Sequence, residues 1–281
     1  MYCPKLAIII PTFNRIDETR SIIQQLLNQD FIDYKILICD SGSTDGTESL
    51  DEEFPGVKIL HVGSNKWWTG AINAGIEYAC QSGFPLTLLL NDDLKIPANL
   101  LTKLLFYHTS NPDLIITPLQ LDLKGNYYLG SVFSGILRSR RGVSEHTKSP
   151  VFIDSSNGCC LLIPTAYFKR IGPINENLIP HYGGDIYIYI RAKNCGIKCL
   201  AVPDIVIEQT SSTNYSGKIN LKTMLFHPSS HVHLKTYFFV GHELFGTWVK
   251  FAFFGVKNHF SFLKEIMGTI KRLYIEGRLF S

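Results

Sequence analysis

The sequence has no CxxC pair. Its seven cysteines, Cys3, Cys39, Cys80, Cys159, Cys160, Cys195 and Cys199, are odd in number, and several sit in apolar runs. That pattern argues against a disulfide framework and for buried reduced thiols in a reducing compartment. No apolar stretch is long enough to span a bilayer without interruption; the best, Tyr237 to Val256, contains His242, Glu243 and Lys250. The N-terminus enters a strand directly, without the pattern of a signal peptide. No internal repeat is present. Neither sign of charge dominates: the net charge is +3 and no nucleic-acid recognition motif occurs, so a nucleic-acid partner is not expected.

What remains is a globular composition, 45% hydrophobic and 18% charged, in 281 residues. That length holds one large α/β domain, or a domain with an appendage. From Thr213 onward nine Lys/Arg face three Glu, whereas the rest has eighteen Lys/Arg against twenty-one acids. The body is mildly acidic and the tail basic.

The first half alternates strands with helices. Leu6–Ile10, Tyr34–Cys39, Val57–Val62 and Leu86–Leu90 are predicted strands; Asp17–Asn28 and Ala71–Gln81 are predicted helices. Strands and helices at this spacing build βαβ units and a mostly parallel sheet. Later strands are predicted at Leu114–Leu121, Cys159–Ile163 and Ile197–Ile207, with helices at Thr165–Ile171 and Gly183–Asn194. Tyr128–Leu137 reads as hairpin structure and Arg138–Pro150 as a polar loop. Beyond Gly217 the pattern is aromatic and helical.

The organising stretch is Leu86-Thr87-Leu88-Leu89-Leu90-Asn91-Asp92-Asp93, an apolar run ending in two carboxylates. Such a run suits a strand buried on both faces, with the acids at its carboxyl end, where open α/β sheets place ligands. A carboxylate pair there can hold a hard divalent cation and, through it, a diphosphate. Asp93 as an N-cap ahead of Pro97 is the plainer alternative. The other strand ends are polar too: Thr12 and Asn14, Asp40 and Ser43, then Asn65. In a parallel sheet these points converge on one cleft.

Four blocks carry a resemblance: Pro11-Thr12-Phe13-Asn14-Arg15, Cys39-Asp40-Ser41-Gly42-Ser43-Thr44-Asp45-Gly46-Thr47, Gly70-Ala71-Ile72-Asn73-Ala74-Gly75 and Leu90-Asn91-Asp92-Asp93. In order and spacing they resemble the family-two inverting glycosyltransferases of the GT-A fold, over roughly residues 5 to 210. Trp67-Trp68-Thr69-Gly70 and the Gly158–Asp185 region look most like bacterial rhamnosyl- and galactofuranosyl-transferase relatives. The resemblance implies a catalytic domain over 1–212 and a helical extension over 213–281. It implies that Asp40 accepts from a pyrimidine ring N–H, although a turn-starting Asp would look the same. Thr12, Asn14, Arg15, Ser43, Asn65, Trp68, Gly70, Asn73, Asn91 and Asp92 would serve the donor, a dTDP- or UDP-sugar. Asp93 would ligate Mg²⁺ or Mn²⁺. Asp185 would be the base that takes the acceptor hydroxyl proton, in a position that equally suits a helix N-cap.

Two features depart from the family. The base is usually preceded by another acid, but here the run is Gly183-Gly184-Asp185. Relatives often place a metal-binding His after the last strand, whereas here Glu208-Gln209-Thr210 follows. Glu208 and His227 are the candidates to fill that role, with His231 and His233 nearby. The aromatic basic tail suits an anionic membrane surface, packing on the catalytic domain, or a homodimer contact. The expected enzyme is cytoplasmic or peripheral on the inner membrane face. It would transfer a sugar to a hydroxyl of a bacterial surface glycan or lipid-linked glycan. The rival readings are an inactive glycan- or nucleotide-binding subunit and a sugar nucleotidyltransferase; the second lacks its basic Gly-rich loop after strand one.

Overall fold

A computed structural model describes residues 5–64, 66–134, 139–144, 146–211, 225–228, 230, 233–247, 259, 262–264, 266–268 and 270–271. Leu6–Thr12 (β1), Tyr34–Asp40 (β2), Lys58–His61 (β3) and Leu86–Leu90 (β4) form a parallel half-sheet in the order β3-β2-β1-β4. Helices Ile16–Leu27 (α1), Leu50–Glu53 (α2) and Trp67–Gln81 (α3) link them. Side chains alternate between two cores. Ile8, Ile10, Leu88 and Leu90 pack on one face with Ile22 and Leu26 of α1. Ala7, Ile9, Leu37 and Leu89 pack on the other with Ala71 and Ile72 of α3. Burial on both faces is why β1, β2 and β4 read as apolar runs.

Past β4 come Leu94–Lys95 (β5), Leu100–Ser110 (α4), Leu114–Leu121 (β6), Tyr127–Tyr128 (β7) and Ser131–Ser134 (β8). Ser139–Gly142 (β9), Val151–Ile153 (β10), Cys160–Pro164 (β11), Phe168–Ile171 (α5), Gly184–Asn194 (α6), Lys198–Gln209 (β12) and Leu234–Phe245 (α7) follow. The sheet continues from β4 through β11, β6 and β12 to β10. β11 runs antiparallel to both β4 and β6, while β12 is parallel to β6.

Several boundaries differ from expectation. α3 starts at Trp67, four residues before Ala71, because Trp67 adopts a left-handed backbone (φ 51°) that turns the chain into the helix. Asp93 is not an N-cap: β5 intervenes, and α4 begins after Asn99. The expected loop at 138–150 contains β9, which pairs with β8 in a separate hairpin. β12 runs on to Gln209 with a register shift between Val202 and Val206. The tail helix α7 lies on α6 and on the segment before it: the Tyr187 and Phe239 rings stack at 5.7 Å, and Thr236 Oγ1 donates to the Leu178 carbonyl at 2.8 Å. Among the described residues, no helix is long and apolar enough to cross a membrane.

Candidate active site

The chain runs β1, β2, β3 to one side, then returns to place β4 on the other flank of β1. That reversal opens a crevice beyond the carboxyl ends of β1 and β4, the usual ligand position in such sheets. The cleft found there measures about 880 Å³. Its walls come from the 11–15 turn, the Asn91–Leu94 turn, the start of α6 and the end of β12.

Asp92 is the buried anchor of the crevice. Arg15 Nε donates to both its oxygens, at 3.0 and 3.2 Å, and Thr12 Oγ1 donates to Oδ2 at 3.3 Å. Burial pushes its carboxyl up to about 7, only partly offset by the Arg15 guanidinium. Asp93 faces the cleft beside it. Burial raises its carboxyl too, and its side-chain partner is the neutral Gln209 amide, 3.3 Å away. Arg15 directs its other hydrogen bond to Ser211 Oγ at 2.7 Å.

The 11–15 turn is stitched to the loop after β2. Asn14, left-handed at φ 51°, accepts from the Thr44 N–H at 2.7 Å and gives its own N–H to Ser43 Oγ at 2.8 Å. Asp40 closes the same loop: Ser43 donates to its carboxylate through N–H (3.0 Å) and Oγ (2.5 Å). Asp45 accepts from the Ile16 N–H at 2.9 Å and so satisfies a donor in the first turn of α1.

Also on the cleft lining, Gly183 (φ 89°) turns the chain into α6, and Asp185 follows in the first turn. Asp185 Oδ2 accepts from the Gly158 N–H at 3.0 Å, and Oδ1 from the Ile186 N–H at 2.7 Å. Gly158 must be glycine for this: a Cβ there would lie 2.3 Å from the Asp185 Cβ. The missing acid also has a steric explanation. A Cβ on Gly184 would sit 2.7 Å from the Trp68 ring and 2.9 Å from Thr69 Oγ1. The indole occupies that space, and its Nε1 donates to Asn91 Oδ1 at 3.2 Å, tying the β4 end to the start of α6.

The glycosyl transferase family 2 model matches residues 7–158, more than half the chain. The chain belongs to glycosyl transferase family 2. A glycosyltransferase of Rickettsia felis is 29% identical over 205 residues, covering 68% of this chain and 32% of its own. The low-salt glycan biosynthesis hexosyltransferase Agl10 of Haloferax volcanii is 29% identical over 163 residues, covering 54% of this chain and 52% of its own. The match thus spans from a third to about half of these relatives' length. Among solved structures, GalNAc-T7 with UDP, GalNAc and Mn²⁺ superposes with TM-score 0.62 over 77% of this chain and 45% of that one. At 15% identity this likeness shows the GT-A fold alone.

In this family 2 protein, Thr12, Asn14, Arg15, Trp68, Asn91, Asp92, Asp93, Asp185 and His227 all line the cleft. Ser41 lines the cleft between Asp40 and Ser43, which close that turn together but do not themselves line it. Gly70 and Asn73 are not among the residues lining the cleft. Gly70 lies under the Lys66–Glu176 ion pair, and Asn73 hydrogen-bonds the Ile174 backbone. Glu208, the other ligand candidate, pairs with Lys95 (3.1 Å), while Gln209, one residue on, faces Asp93. Asn65 and His231 lie outside the described residues. His233 is turned to Thr236 at 2.8 Å.

Sequence reasoning missed Gln120, Asp122, Tyr128 and Asn157, which form the far wall of the cleft. They lie in or beside β6, β7 and β11, strands whose order in the sheet is not sequential, so no rhythm marks which of their ends face the site. The donor set fits a divalent cation: Asp93 is a buried carboxylate facing a neutral amide, and His227 lines the same cleft. Among the described residues, no cluster of three or more His, Cys, Asp or Glu is present.

Proposed function

We propose that this protein transfers a sugar, with inversion, from a dTDP- or UDP-sugar to a hydroxyl of a bacterial cell-envelope glycan or lipid-linked glycan. The observation that carries this reading is that Asp93 and Asp185, from distant parts of the sequence, line one cleft. The nucleotide belongs at the β1/β2 end, against Asn14, Arg15 and the Asp40 turn. A pyrimidine ring N–H would meet the Asp40 edge. The sugar then points toward Trp68, Asn91 and Asp185, and the acceptor enters from the wall of Gln120, Asp122 and Tyr128.

Asp185 takes the acceptor hydroxyl proton as the oxygen bonds to the anomeric carbon. The bond from that carbon to the diphosphate oxygen breaks in the same in-line displacement, which inverts the centre. The Gly158 and Ile186 N–H groups fix the orientation of the Asp185 carboxylate. Mg²⁺ or Mn²⁺, held by Asp93 with His227, would supply positive charge to the departing nucleoside diphosphate. The Haloferax relative's name, a hexosyltransferase of glycan biosynthesis, supports the sugar-transfer part of this reading.

Asp185→Asn is the direct test, because it keeps the shape and removes the base. Transfer should fall by ~10²–10⁴-fold, with nucleotide affinity retained in calorimetric titration. Full transfer by the variant would remove Asp185 from the mechanism.

A further inference from the structure

The 172–183 segment joins α5 to α6 and delivers Asp185 to the cleft, with little regular structure of its own. It is fastened to α3 at successive points. Asn73 Nδ2 donates to the Ile174 carbonyl at 2.8 Å, and its Oδ1 accepts from the Ile174 N–H at 3.1 Å. This side-chain amide thus pairs with a backbone residue as a neighbouring strand would. Lys66 Nζ bonds Glu176 at 2.5 Å across the surface of Gly70, where a Cβ would sit 2.8 Å from the Glu176 carboxylate. The Thr69 N–H donates to the Pro180 carbonyl at 3.1 Å. The last fastening is Trp68 against Gly184.

We infer that the N-terminal half of α3 is a clamp for the base-bearing loop, with Asn73 as its central positioning residue. The inference rests on the reading of Asp185 as the base. Resemblance alone placed Gly70 and Asn73 against the donor. Their contacts instead face the 172–176 segment, so the block serves the acceptor side of the reaction. A loop without ladder hydrogen bonds opens locally at low cost, and the clamp supplies the bonds it lacks. A base displaced by about 1 Å loses roughly 10²-fold in rate. The clamp therefore acts on turnover and leaves nucleotide affinity alone.

The Gly158 amide offers a readout that is independent of turnover. Its N–H bonds Asp185 Oδ2, so its hydrogen exchange reports where that carboxylate stands. Neither Asn73 nor Glu176 shares a hydrogen bond with Gly158. Asn73→Ala and Glu176→Lys, each in the full chain, should speed exchange at Gly158 by about tenfold or more. UDP affinity in the presence of Mn²⁺ should stay as in the parent. The swap Lys66→Glu with Glu176→Lys should restore protection, which guards against a variant that merely fails to fold. Unchanged Gly158 exchange in both single variants would overturn the clamp, as would a loss of UDP affinity in folded Asn73→Ala. Full activity in Asp185→Asn would instead count against the base reading and leave the exchange result to judge the clamp separately.

Discussion

Gly184 and Trp68 occupy one volume between them. A side chain at position 184 would meet the Trp68 indole. Gly184→Glu alone should overpack the site and lower stability by ~1–3 kcal/mol. Adding Trp68→Ala should make the pair less destabilised than the two single losses summed, since contacting residues couple. Additive losses in thermal melts would contradict this packing. Asp92 makes a second prediction. Its folded carboxyl titrates at about 7, against about 3.9 in an unfolded chain. The folded state therefore holds the proton more tightly, and this group costs stability as pH rises between those values. Metal-free protein should lose melting temperature from pH 5 to pH 8, and Asp92→Asn should lose less. Asp185 was legible as an acid opening a helix. Its pairing with Gly158, 27 positions away, left no local mark, and neither did the contact of Trp68 with Gly184.

The strand ends, more than any single side chain, locate the cleft. β1, β2 and β4 were legible because burial on both faces leaves long apolar runs, each stopped by polar residues. The later half was harder. β11 inserts antiparallel between β4 and β6, and the sequence does not encode which strand a given apolar run will join. The start of α3 was hidden by the left-handed backbone of Trp67, and β9 by its polar composition. The packing of α3 on β1 and β2 is close enough to test. A Cβ at Gly75 would lie 2.4 Å from Ile9 Cγ2 and 2.8 Å from Cys39 Sγ. Gly75→Ala should raise helix propensity yet destabilise by ~1–3 kcal/mol through overpacking. A stabilised variant in chemical denaturation would show that the helix stands off the sheet.

At the scale of the molecule, the GT-A sheet, the cleft and the tail helix form a connected arrangement. α7 packs on α6 through the Tyr187–Phe239 stack and the Arg191–Glu243 ion pair at 3.4 Å. The aromatic pattern of the tail was legible in sequence; packing, membrane contact and dimerisation share that pattern, so the contact with α6 was not. The central claim is that the cleft binds a nucleotide-activated sugar through a cation and cleaves its anomeric bond. Hydrolysis of a panel of dTDP- and UDP-sugars, with Mg²⁺ or Mn²⁺ and with chelator, tests it most directly because water replaces the acceptor. The expected result is slow, metal-dependent release of nucleoside diphosphate from one donor, lost in Asp93→Asn. Absence of release from every donor, together with absence of metal-dependent nucleotide binding, would contradict the account and favour an inactive binding subunit.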